Sequence, residues 1–145
     1  MTIDERESID RAGDVCLYAA MTIAKVQVVS VPVSDQDRAK EFYVNVLGFD
    51  VLQDMSMGPE MRWLQVAPKG SEDSLALVTW FDTMPAGSLR GLVFETPDLE
   101  ATVAEIDANG FTIVGEIDEQ PWGRFLTFED PDGNGLILRQ PVSMG

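Results

Sequence analysis

The stretch DPDGNGLILRQ, Asp130 to Gln140, decides the fold. Asp, Pro, Gly and Asn open it, and those residues build tight turns by bonding their own backbone or tolerating unusual φ. Gly135–Gln140 then reads as a strand, with Leu136, Ile137 and Leu138 in unbroken succession. WGRFLTFE, just upstream, supplies the other arm of a hairpin, and FTIVGEI (111–117) reads as a further strand before it. Upstream again, Thr96-Pro97 opens a helix, Pro standing where no donor is lost. Leu99, Val103 and Ile106 give that helix its apolar face, and Gly110 stops it. LRGLVFET, before the helix, is a strand.

The order βαβββ also occurs earlier in the chain. KVQVVSVPV is a strand. Ser34 reads as a helix cap with Asp37 three residues on. Ala39, Phe42, Tyr43, Val46 and Leu47 follow at helical spacing, and Gly48 ends the run. FDVLQDM, MRWLQVA and SLALVTW are three further strands. Asp35 to Gly48 is 13 positions and Asp98 to Gly110 is 12, and each Gly is followed by Phe and a strand. The expected organisation is an appendage at 1–23, a module at 24–81, a linker at 82–88, a second module at 89–141 and a tail at 142–145. Mostly hairpin connections make the class α+β.

The composition narrows the chemistry. The 145 residues hold no His and one Cys, Cys16. Ser-His and Cys-His arrangements are therefore excluded, as is a cysteine-rich zinc cluster. The net charge of −15 argues against nucleic acid and anionic membranes. It suits a cationic ligand, and it also serves plain solubility. The polar, acidic start does not read as a secretory signal and no apolar run is long enough to span a bilayer, so a cytoplasmic protein is expected.

AKEFYVNVLGF in the first module and FEDPDGNGLIL in the second resemble the vicinal oxygen chelate superfamily over about residues 24–140. That group includes glyoxalase I, extradiol dioxygenases and bleomycin-resistance proteins. The resemblance implies two βαβββ modules forming a curled, barrel-like mixed sheet around a cavity, and a homodimer. Metal-dependent members carry ligands at four positions, which fall here on Val28, Leu77, Gly91 and Ile137. None of these side chains binds a divalent ion, and a one-residue slip supplies no carboxylate. No metal or cofactor is expected.

If those four positions point inward, strand alternation adds Ser30, Thr79, Val93 and Glu95, with Arg139 a further candidate. They line either a pocket or a filled core; Gly91 leaves room, and a buried Glu95 would need a partner in Arg139 or Arg90. Trp63 beside Arg62, and Trp122 near Arg124, could sandwich a planar or cationic ligand. They could equally pack at an edge or a dimer interface. Met55, Met57 and Met61 cluster near Trp63. The functional expectation is metal-free binding of a small organic molecule, as in the bleomycin-resistance branch. The alternatives are a metal-free enzyme with Glu95 as acid or base, and a metal-dependent lyase or dioxygenase.

Overall fold

A computed structural model of the protein describes residues 22–142. Residues 1–21 of the expected appendage, with Cys16, and residues 143–145 of the tail lie outside the described residues.

The first module runs β1 (Val28–Pro32), α1 (Gln36–Lys40), β2 (Asp50–Ser56), β3 (Arg62–Ala67) and β4 (Ser74–Val78). The second runs β5 (Leu92–Glu95), α2 (Leu99–Ala108), β6 (Asp118–Gln120), β7 (Gly123–Glu129) and β8 (Gly135–Pro141). Each builds a four-stranded mixed sheet, in the orders β1-β4-β3-β2 and β5-β8-β7-β6. In each, the first and last strands pair in parallel and the remainder antiparallel. The two sheets stay separate rather than closing into a barrel.

Four local details differ from expectation. Asp35, not Ser34, caps α1, its carboxylate accepting from the amides of Asp37 and Arg38. Asp98 caps α2, so Pro97 lies before the cap. Both stretches offer several cap-forming side chains; Asp35 and Asp98 are extended, and their carboxylates accept from first-turn amides. After α1 the coil widens into a π-helical stretch, Glu41–Val46, in which Leu47 N–H donates to Phe42 C=O. This wider turn accompanies the burial of two adjacent aromatics, Phe42 and Tyr43. Finally, 111–117 is not a strand, since β6 begins only at Asp118. Phe111, Ile113 and Ile117 still pack on the core, which explains the strand-like alternation in the sequence without a ladder of hydrogen bonds.

One apolar cluster spans both modules: Val31, Leu64, Leu75 and Leu77 of the first, and Leu126, Phe128, Leu136 and Leu138 of the second. Edge-to-face aromatic pairs cross between the modules, Phe42 on Phe111 at 4.9 Å and Phe49 on Phe94 at 5.3 Å. The β7–β8 turn supplies the polar half of the contact. Asp130 is buried, and its Oδ1 accepts from the amides of Asp132 and Asn134, both at 2.9 Å. Its Oδ2 accepts from the Tyr43 hydroxyl and Asn134 Nδ2, both at 2.8 Å. Asn134 also donates to Pro32 C=O at 2.8 Å and accepts from Leu89 N–H at 3.0 Å. Asp132 Oδ1 accepts from the Ser34 hydroxyl and from Arg38 Nη2. The linker passes so close that a Cβ on Gly87 would meet the Asp132 carbonyl oxygen at 2.1 Å, which with φ +84° reserves that place for glycine.

Asn134→Ala should cost about 2–4 kcal/mol in urea unfolding, because it strands buried polar partners on both modules. Burial, then the Asp130 charge, pushes the Tyr43 phenol above its ordinary value of 10.0. Its contribution to stability is thus present below about pH 10 and is lost as pH rises above that, where the unfolded chain ionises. Tyr43→Phe should flatten the alkaline fall in stability; an unchanged slope would contradict this.

Candidate ligand-binding cleft

Strands β1 and β5 are the facing edges of the two sheets, and between them lies a cleft of about 580 Å³. Val26 and Val29 form one wall. Leu92, Val93, Phe94 and Glu95 form the other, and the loop from Pro68 to Asp73 with the start of β4 makes the floor. The lining is mainly apolar. Its charged groups, Asp73 and Glu95, are both carboxylates.

A line of hydrogen bonds runs from the floor along β3. Ser74 Oγ donates to Gln27 C=O at 2.9 Å and accepts from Gln65 Nε2 at 2.7 Å. Gln65 Oε1 accepts from Trp63 Nε1 at 3.0 Å. Trp63 in turn stacks on Trp80, with ring centroids 6.3 Å apart and planes 29° apart. The outward face of the first sheet therefore joins an aromatic stack to the cleft through fixed polar side chains, since Gln65 and Ser74 have both ends engaged.

The expected site residues divide. Val28 and Ser30 share the sheet face opposite the core, their register partners being Ser74 and Ala76. Val93 and Ile137 are register partners on the corresponding face of the second sheet. Gly91 opens β5 at φ +80° with free space where a side chain would stand. Leu77 does not join them. It pairs in register with Val31, and both lie in the core at 0 % exposure. Because alternate residues point to opposite faces, a one-residue slip in alignment inverts the assignment; Ala76 and Val78 hold the outward places on β4. Thr79 lies beyond the strand end, exposed.

The two Trp–Arg sandwiches also fail to form. Arg62 is engaged by Asp54, at 2.8 and 2.9 Å, and by Asp37 at 2.7 Å, bolting the β2–β3 hairpin to α1. Those bonds hold the Asp54 carboxyl well below its usual range. Arg124 lies on the helix side, held by Glu100 of α2, whose carboxyl that guanidinium lowers to about 2. Trp122 stands exposed on the β6–β7 turn. Sequence reading missed the Gln65–Ser74 line and Trp80 as the stacking partner; the period-two spacing of Trp63 and Gln65 was its one signal.

Glu95 is 71 % exposed, 3.9 Å from Arg139. Arg90, the other candidate partner, caps carbonyls at Gly87, Leu89 and Gly133 instead. Glu95 thus lacks the burial by which catalytic carboxylates are tuned. The family positions for a divalent ion hold Val28, Gly91, Ile137 and an apolar β4 residue, and among the described residues no three His, Cys, Asp or Glu side chains gather as ligands. The donor set does not fit a metal.

A paired-βαβββ scaffold with a cleft between modules defines the class, and the chain belongs to the Glyoxalase/Bleomycin resistance protein/Dioxygenase superfamily, whose model matches residues 25–138. Among solved structures, TnmS3, an antibiotic binding protein from Streptomyces sp. CB03234, is 52 % identical. That likeness covers 85 % of this chain and 100 % of TnmS3, with a TM-score of 0.79. A glyoxalase/bleomycin resistance protein from the same Streptomyces is 51 % identical over 80 % of this chain and 100 % of its own, with a TM-score of 0.71. The uncharacterized protein YetH of Bacillus subtilis (strain 168) is 40 % identical over 121 residues, covering 81 % of this chain and 99 % of YetH. No helix of the described residues is long and apolar enough to cross a membrane.

The split between core and cleft faces can be measured. Leu77→Ala should destabilise by about 2–5 kcal/mol, as buried Leu truncations do. Val93→Ala should stay within about 0.5 kcal/mol. Equal losses in denaturant unfolding would show that both side chains are packed core.

Proposed function

We propose that this protein binds a small planar or cationic organic molecule in the cleft between its modules, in the cytoplasm, without a metal ion and without chemical turnover. The observation that carries the reading is the cleft itself: an apolar lining whose charged groups are Asp73 and Glu95 alone. An apolar body gains by leaving water there, and a cation gains from two carboxylates and the field of a −15 chain. The description of TnmS3 as an antibiotic binding protein supports it. Exposed Met55, Val93 and Trp122 fit pairing with a second copy, which would cover the outward faces of the sheets.

Binding is read by Trp fluorescence against a small library of planar amines. Trp63→Ala, which removes the far end of the Gln65–Ser74 line rather than a wall of the cleft, should weaken a hit by about 0.5–1.5 kcal/mol, the worth of one hydrogen bond. Raised salt should weaken it too, through screening over about 10 Å at 0.1 M. Glu95→Gln should lower affinity. If instead it leaves binding intact and abolishes turnover of the hit, Glu95 is a catalytic base and the binding-only reading fails. Chelator should leave the melting temperature unmoved, since a structural ion would add stability by mass action; one equivalent of bound transition metal in the purified protein would overturn metal independence.

A further inference from the structure

The helix-facing side of the second module carries a cleft of about 600 Å³ between α2 and the stretch 111–117. It shares no lining residue with the inter-module cleft. Its origin is the shortness of β6. Strand β7 pairs with β6 only from Gly123 to Phe125, whereas β8 pairs along its whole length. Alternation turns the main-chain groups of Thr127 away from β8, toward Gly115, where the chain stands off instead of forming a ladder. The space so left has an apolar floor of Val103 and Ala104 from α2, with Ile113, Ile117 and Leu126.

The rim is acidic: Glu100, Asp107 and Glu116. The Glu100 charge is matched by Arg124. Among the described residues the Asp107 carboxylate accepts only a neutral hydroxyl, from Thr112 at 3.0 Å. Glu116 has no ion-pair partner among the described residues. Two unmatched carboxylates therefore flank an apolar space open to solvent.

We infer that this cleft is a second binding site, for a small cationic amphiphile: an apolar alkyl or aryl body bearing one protonated amine or guanidinium. The body takes the place of water over Val103, Ile113, Ile117 and Leu126. The head group lies between Asp107 and Glu116. The same carboxylates repel an anion of identical shape, so charge sign, rather than hydrophobicity, sets the selectivity.

The test is an amide-resolved NMR titration of the full chain with octylammonium chloride, below its micelle concentration, beside octyl sulfate. Octylammonium should give saturable shifts centred on Val103, Ile113, Glu116 and Leu126, and octyl sulfate should bind at least about tenfold more weakly. The pair Asp107→Asn and Glu116→Gln should reduce octylammonium affinity about three- to tenfold, as losing two partly screened charges does. Ala104→Leu, at an exposed helix position that tolerates Leu, should fill the groove and abolish the shifts while leaving the remaining spectrum in place. Equal binding of both amphiphiles, shifts centred instead on Val93 and Glu95, or saturable shifts that survive Ala104→Leu would each overturn the assignment. Absence of saturable shifts would do the same. Shifts centred on Val93 and Glu95 would place the amphiphile in the inter-module cleft; the other outcomes leave that cleft, probed separately by Glu95→Gln, untouched.

Discussion

The Asp130 carboxylate holds the molecule together. It is nearly removed from water with no cation in contact among the described residues, an arrangement tolerable only because four donors reach it. Two of those donors are amides of its own turn, so the local geometry and the long-range contact cannot be varied separately. The other two bring in α1's extension through Tyr43 and, through Asn134, the end of β1 and the start of the second module. Tyr43, kept protonated, serves as a donor and nothing else. Because each polar atom in the set has its partners, the joint between modules has one geometry, and the edges β1 and β5 are set at a fixed separation.

That separation gives the cleft its character. Edge strands of two sheets that touched would pair, and the space would vanish; strands held apart by a polar clasp on one side and an aromatic core beneath leave a gap lined by whatever their edges carry. Here they carry Val29, Val93 and Glu95. The superfamily's metal chemistry needs carboxylates and imidazoles at positions that this chain gives to Val28, Gly91 and Ile137. The Val28 and Ile137 side chains and the bare Gly91 at those places offer no donor to an ion.

Much of the fold was legible because its signals are local: two helices with apolar periodicity, each stopped by Gly and Phe, and hairpins marked by Pro, Gly and Asn. Helix starts slipped by a residue or more because Ser34 and Asp35, and Thr96 and Asp98, are all cap-forming types, and backbone geometry chooses between them. FTIVGEI alternates as a strand does because Phe111, Ile113 and Ile117 cover the core, and hydrophobic alternation records burial rather than hydrogen bonding. The site was less legible. Leu77 sits in a run, SLALV, that is buried along its whole length, so no polar residue reveals which parity faces out. Arg124 stands near Trp122 in sequence, yet its guanidinium crosses to Glu100, which only the packing of α2 against the second sheet decides.

The two halves of the chain share one topology, and their caps, Asp35 and Asp98, bring Val29 into correspondence with Leu92. Val29 pairs with Leu75 and Leu92 with Leu136, so Asp73 occupies in the first half the place of Asn134 in the second. One is exposed on the floor of the cleft; the other is buried in the clasp. A repeated topology thus uses equivalent loops for opposite ends: one welds the halves together, and its twin carries no such duty. The Pro68–Asp73 loop is free to change sequence with little penalty to folding, whereas its counterpart at Asp130–Asn134 is fixed by the architecture it sustains.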